Sequence, residues 1–93
     1  MSEKIELSKI IEKIKSAIQD ANIESLIYTL SDLISRFGGY FFINPGDIVY
    51  VRKYTNIPES CEVITIITRH GLHLSIRIYA SGGVIEDVEV IHL

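Results

Sequence analysis

The spacing of apolar positions changes once along the chain. Up to Phe37 they recur every three or four residues; from Tyr40 onward they alternate or run together between glycine-bearing turns. Leu7, Ile10, Ile11, Ile14, Ala17 and Ile18 form one stripe. Ile23, Leu26, Ile27, Leu30, Leu33, Ile34 and Phe37 form a second. Each stripe marks an amphipathic helix with one buried face. Ser2 is the expected N-cap of the first helix, with Glu3 and Glu6 set against the positive end of its dipole. Gln19-Asp20-Ala21-Asn22 interrupts the pattern, and Asp20 or Asn22 can cap the second helix by accepting from its first free N–H groups. Gly38-Gly39 stops that helix, since glycine takes the left-handed conformation past a helix end without steric cost. The reading over residues 1–39 is an antiparallel helical hairpin.

Residues 40–93 predict an antiparallel sheet. Tyr40-Phe41-Phe42-Ile43 is either a short strand or an extended cover over the core. Asn44-Pro45-Gly46-Asp47 is a turn. Asp47 to Tyr54 is a β-branched and aromatic strand, and Thr55 to Ser60 is a loop. Three more strands follow: CEVITIITR, LHLSIRIYA and VIEDVEVIHL. A two-residue His70-Gly71 turn sets Val63 opposite Ile78, Thr65 opposite Ile76 and Ile67 opposite Leu74. A three-residue Ser81-Gly82-Gly83 loop sets Leu74 opposite Val90, Ile76 opposite Val88 and Arg77 opposite Asp87. A two-residue Gly-Gly loop is set aside because it opposes Ile76 to Glu89.

This register divides the sheet. Val63, Ile67, Leu72, Leu74, Ile76, Ile78, Val88 and Val90 are expected to face the helices. Glu62, Ile64, Ile66, His73, Ser75, Arg77, Tyr79, Ile85, Asp87, Glu89 and Ile91 face away, joined by Tyr50, Arg52 and Tyr54 if Val49 and Val51 point inward. The fold class is α+β, a single domain with an N-terminal helical hairpin packed on one face of a four-stranded antiparallel β-meander. Gly46-Asp47 ahead of an alternating strand keeps a small SH3-like barrel behind two helices as the alternative. Two helices cannot cover both faces of such a sheet. An apolar outer face of several hundred Å2 marks an interface, so Ile64, Ile66, Tyr79, Ile85 and Ile91 are the expected contact residues of a homodimer.

Composition narrows the function classes. Hydrophobic residues are 47% and charged residues 23%, a globular balance. Isoleucine is unusually frequent, 18 residues against 7 leucines, an association with AT-rich genomes or a thermophilic source that carries no mechanism. The formal charge is -3, with no basic residue beyond Arg77, which argues against phosphate-rich partners. The lysines of the first helix read as a solvated face. The second helix carries one Arg and no Lys, too little for a recognition helix. Tyr50, Arg52, His73, Arg77 and Tyr79 nonetheless have the makings of a single-strand nucleic-acid platform, which is the alternative reading.

No apolar run approaches the roughly 20 residues of a membrane span, and the first residues lack a signal-peptide core. A lone Cys61 forms no internal disulfide. The expectation is a cytoplasmic protein without a membrane partner. Glu86, Asp87 and Glu89 are the densest carboxylates, and an acidic edge strand that resists aggregation accounts for them. Ser60-Cys61-Glu62 forms no nucleophile elbow, and His70, His73 and His92 do not converge, so no catalytic residue, metal or cofactor is expected. The function read from the sequence is a small non-enzymatic protein-interaction or regulatory module acting as a homo-oligomer.

Overall fold

The computed structural model describes residues 4–93. It contains α1 (Leu7–Gln19), α2 (Ile23–Arg36), a 3-10 turn (Pro45–Asp47) and four strands, β1 (Ile48–Asn56), β2 (Cys61–Thr68), β3 (His73–Ser81) and β4 (Val84–His92). The strands form one antiparallel sheet in chain order. The sheet is open, not a closed barrel.

The helices form where the stripes place them. Asn22 is the cap of α2, its Oδ1 accepting from the Ser25 N–H at 3.1 Å. Gly38 follows the helix at φ 83°, a conformation glycine adopts freely. The start of the chain departs from expectation. Ser2 and Glu3 lie outside the described residues, and α1 begins only at Leu7 with Glu6 at its cap position and no side-chain cap bond. Residues 5–7 instead lie along the start of β4: the Leu7 N–H donates to Gly83 O and the Ile85 N–H to Ile5 O, both at 2.9 Å.

Between α2 and β1 the chain runs extended but unpaired. Phe41 and Ile43 are buried, Tyr40 and Phe42 are exposed, and Ser31 Oγ donates to Phe41 O at 2.6 Å. The segment is thus a cover over the core and not a fifth strand. Asn44 Oδ1 accepts from the Gly46 N–H at 3.0 Å and shapes the turn into β1.

Two turns reset the expected register. The β2–β3 connection has three residues, Arg69-His70-Gly71, closed by Thr68 N–H to Leu72 O at 2.9 Å. Gly71 at φ 85° supplies the left-handed residue of a three-residue hairpin loop. Arg69 is drawn out of the ladder by Asp47, whose O accepts its N–H at 2.8 Å and whose Oδ1 lies 2.9 Å from its Nε. Ile66 therefore opposes Leu74, and Ile64 opposes Ile76. One residue of slip exchanges the two faces of a strand, so Ile64 and Ile66 face the helices and are fully buried. They are core residues and not interface residues.

At the β3–β4 turn the loop is the two-residue Gly82-Gly83, with φ 60° and 79° as a tight hairpin of this kind requires. The clash that argued against it is relieved by a bulge one pair further on. Ala80 opposes Ile85, but Tyr79 opposes Asp87, leaving Glu86 as the extra residue. The bulge restores Val88 and Val90 to the helix side. It also turns Ile85 inward, where it is buried with the core, correcting its expected place on the outer face. Arg77 consequently opposes Glu89, not Asp87. A further irregularity at Val49 leaves that side chain exposed while Val51 packs against the core, so the inward condition set for the two valines is met by Val51 alone. Leu72, expected in the core, lies exposed beside the turn.

The resulting core is a single cluster: Ile14, Leu26, Ile27, Leu30, Leu33 and Ile34 of the helices against Ile64, Ile66, Leu74, Ile76, Ile78 and Ile85 of the sheet. The helices thus cover one face, and the other face is left to the surface.

Candidate interaction surface

Strand pairing places the outward side chains in four transverse rows. They are Tyr50–Ile67–His73, Arg52–Thr65–Ser75–Ile91, Tyr54–Val63–Arg77–Glu89 and Asn56–Cys61–Tyr79–Asp87. All five residues of the nucleic-acid reading, Tyr50, Arg52, His73, Arg77 and Tyr79, are therefore on one face. Of the five expected interface residues, only Tyr79 and Ile91 remain there, both half-buried.

The face has two unlike halves. On β3 and β4 the groups a ligand would use, Arg77 and Tyr79, already have partners. Arg77 is ion-paired with Glu59 from the β1–β2 loop, and the Tyr79 hydroxyl donates to Glu89 Oε1 at 2.6 Å. The bond to Glu89 raises the Tyr79 pKa, and a hydrogen bond to Tyr79, with the field of Glu59, raises that of Arg77. Val63, flanked by Tyr54 and Arg77 in its row, is fully buried despite facing outward. Cys61 beside it is buried too, and burial pushes its thiol above the ordinary value, the reverse of what a nucleophile needs.

The β1 half is open. Tyr50, Arg52 and Tyr54 are all exposed, and the Arg52 guanidinium lies over the Tyr54 ring at 5.1 Å. Among the described residues no carboxylate lies within ion-pair distance of Arg52. Nine large hydrophobic side chains are exposed among the described residues. Four of them, Val49, Tyr50, Tyr54 and Ile57, belong to β1 or the loop just after it, which singles out this edge.

The two sheet edges also differ in their backbone. The Thr68–Leu72 bond fixes the even residues of β2 as those bonding to β3, so its odd residues bond to β1. The ladder then uses Tyr50, Arg52 and Tyr54, while the N–H and C=O groups of Val51, Lys53 and Thr55 point away from the sheet. By the same alternation the bond from Leu93 N–H to His73 O turns the backbone groups of Val88, Val90 and His92 outward on β4. The β4 edge is, however, covered at its start by residues 5–7 and carries Glu86, Asp87 and Glu89. The β1 edge has neither protection.

On the helix side β1 is anchored by charge. Lys53 Nζ lies 2.9 Å from Glu62 Oε1, and Thr55 Oγ1 donates to the same carboxylate at 2.7 Å. Burial pushes the Glu62 pKa up, but the bonds from Lys53 and Thr55 and the fields of Lys53 and Lys15 outweigh it and hold the carboxyl below its ordinary value. A groove of about 440 Å3 beside it is lined by Leu7, Thr55, Ile57, Glu62 and Ile78. Its one carboxylate is spent on Lys53 and Thr55, so it offers no free acid or base. Among the described residues no three His, Cys, Asp or Glu side chains converge as a metal site requires, and no helix is long and apolar enough to cross a membrane.

No protein-family model, curated protein or solved structure matches the chain. The functional reading therefore rests on this surface.

Proposed function

We propose that the protein is a non-enzymatic protein-interaction module that works by strand addition at the free edge of β1, in a reducing, cytoplasmic setting suited to a free buried thiol. The observation that carries the reading is the asymmetry of the two edges. The β4 edge is covered at its start and acidic beyond it; the β1 edge presents Val51, Lys53 and Thr55 backbone groups beside exposed Val49, Tyr50, Tyr54 and Ile57. Backbone bonds would supply affinity, and the Tyr50–Arg52–Tyr54 strip would select the partner.

Val51→Pro tests this. Its N–H points away from the sheet, so proline removes the docking donor and no ladder bond. Proteins co-purifying from the source cell with the wild-type chain should be lost with the Val51→Pro chain at unchanged far-UV circular dichroism. Undiminished recovery of the same partners would refute strand addition.

Nucleic acid is the second reading, favoured by the gathering of Tyr50, Arg52, His73, Arg77 and Tyr79 on one face. It ranks below because Glu59 and Glu89 already occupy Arg77 and Tyr79. Salt-dependent retention of a single-stranded oligonucleotide, lost in Arg52→Ala, would reverse the order.

A further inference from the structure

Resting on that reading, we propose that the strand added to β1 is β4 of a second copy of this chain, so that sheets join head to tail. Consecutive strands are antiparallel, so β1 and β4 run in opposite directions within one chain. Two copies in the same orientation therefore meet as antiparallel neighbours. The free stretches are close in length: β1 is regular from Tyr50 to Asn56 past the Val49 irregularity, and β4 from Asp87 to His92 past the bulge and the contact with residues 5–7.

One register satisfies backbone, faces and charge together. Val51 pairs with Val90 of the second copy and Lys53 with its Val88, each bringing outward N–H and C=O groups face to face. The helices of both copies then lie on the same side of the joined sheet. On the other side Tyr50 meets Ile91, Arg52 meets Glu89 and Tyr54 meets Asp87. These are an aromatic–aliphatic pair, an ion pair and a phenol–carboxylate pair, the kinds that stabilise adjoining strands. Arg52, which has no carboxylate within ion-pair distance among the described residues, gains one.

The symmetric alternatives are poorer. Two β1 strands centred on Arg52 or Lys53 oppose like charges, centred on Tyr54 they set the two Lys53 side chains diagonal to each other, and centred on Val51 they run Val49 into the ladder at its irregularity. Two β4 strands centred on Val88 or Glu89 oppose acids, and centred on Val90 they set the two Glu89 side chains diagonal to each other with no cation between. An open head-to-tail assembly leaves one free β1 and one free β4 at its ends, so growth does not stop at two and ends only if the rotation between copies closes a ring.

The test is complementation, read by sedimentation velocity. Wild-type chain should show an average mass that rises past the dimer with concentration. Val51→Pro blocks only β1 and Val90→Pro only β4, so each alone should be monomeric, and their mixture should form a one-to-one dimer and nothing larger. Arg52→Glu, at an exposed position that does not touch the core, should weaken assembly at least tenfold at low salt and keeps the test open if a proline variant fails to fold. The proposal is overturned if wild-type chain stays monomeric at hundreds of micromolar, or if Val90→Pro still dimerises while Val51→Pro does not, the mark of a symmetric β1 contact. It is equally overturned if a single-stranded oligonucleotide, and not a second copy, occupies the Tyr50–Arg52–Tyr54 strip. If wild-type chain is monomeric yet Val51→Pro loses a co-purified partner, the second copy is excluded and strand addition stands.

Discussion

Replacing Glu62 by Gln isolates the charge pair that anchors β1. Lys53 and Glu62 are close to buried, with side-chain exposures of 13% and 11%, and their charged atoms lie 2.9 Å apart. Removing one partner from a buried pair costs roughly 3–5 kcal/mol because the other charge is left unmatched. With Lys53 a little exposed, the lower end applies, about 3 kcal/mol. A domain of 93 residues has roughly 5–14 kcal/mol in total, so the loss is a large fraction of it and corresponds to roughly 12–24 °C in Tm. Replacing both residues with apolar ones of similar volume, Lys53→Met with Glu62→Leu, removes the unmatched charge and should recover most of the loss. The pH dependence follows from the depressed Glu62 pKa. The pair's contribution is fully present above the unfolded carboxyl value of about 4.3 and is lost as pH falls through the lower folded value. Urea denaturation followed by far-UV circular dichroism between pH 2 and 7 reads both effects. Equal destabilisation in the single and double variants, or a Glu62→Gln chain with the same acid limb as wild type, would refute the reasoning.

Three further outcomes follow from the fold. Ile66→Ala should cost about 3–4 kcal/mol and the half-buried Ile67→Ala about 1 kcal/mol in urea melts; the reverse ranking would mean the β2 register is wrong by one residue. Gly82→Ala, at φ 60°, should lower stability by about 1–2 kcal/mol, and an unchanged Tm would contradict the two-residue turn. Asn22→Ala should cost about 1 kcal/mol through loss of the α2 cap while Asn22→Asp stays within a few tenths, as thermal melts can check.

The parts of the fold legible in the sequence are those specified by a single strong pattern. The α2 stripe and its glycine stop each point to one answer, and the structure agrees; of the two cap candidates, Asp20 and Asn22, it is Asn22 that caps the helix. β3 and the part of β4 from Asp87 onward alternate cleanly, so their faces are legible whichever turn joins the strands. β2 was not, because Val63, Ile64, Ile66 and Ile67 put apolar groups on both sides of the strand. Either register buries two of them, and the choice falls to turn chemistry: Gly71 as the left-handed third residue of a loop, and Asp47 drawing Arg69 away from the ladder. Asp47 is 22 positions from Arg69, beyond any local pattern. Ile85 was misplaced for a related reason, since a bulge inverts alternation without leaving a residue type that announces it. Those two errors created the apolar outer face expected from sequence. With Ile64, Ile66 and Ile85 in the core, the candidate surface lies at the β1 edge and not in the middle of the sheet.

The contact of residues 5–7 with the last hairpin has a kinetic consequence. The helical hairpin and the meander are each built from neighbours in sequence and can form quickly. The bonds Leu7–Gly83 and Ile5–Ile85 instead join segments about 80 residues apart, a closure that costs about 4 kcal/mol of chain entropy. They add to the shared core that holds the two halves together, and they form late, once both halves exist to hold the ends in place. In native-state hydrogen exchange the Leu7 and Ile85 amides should therefore open together, ahead of the central strands.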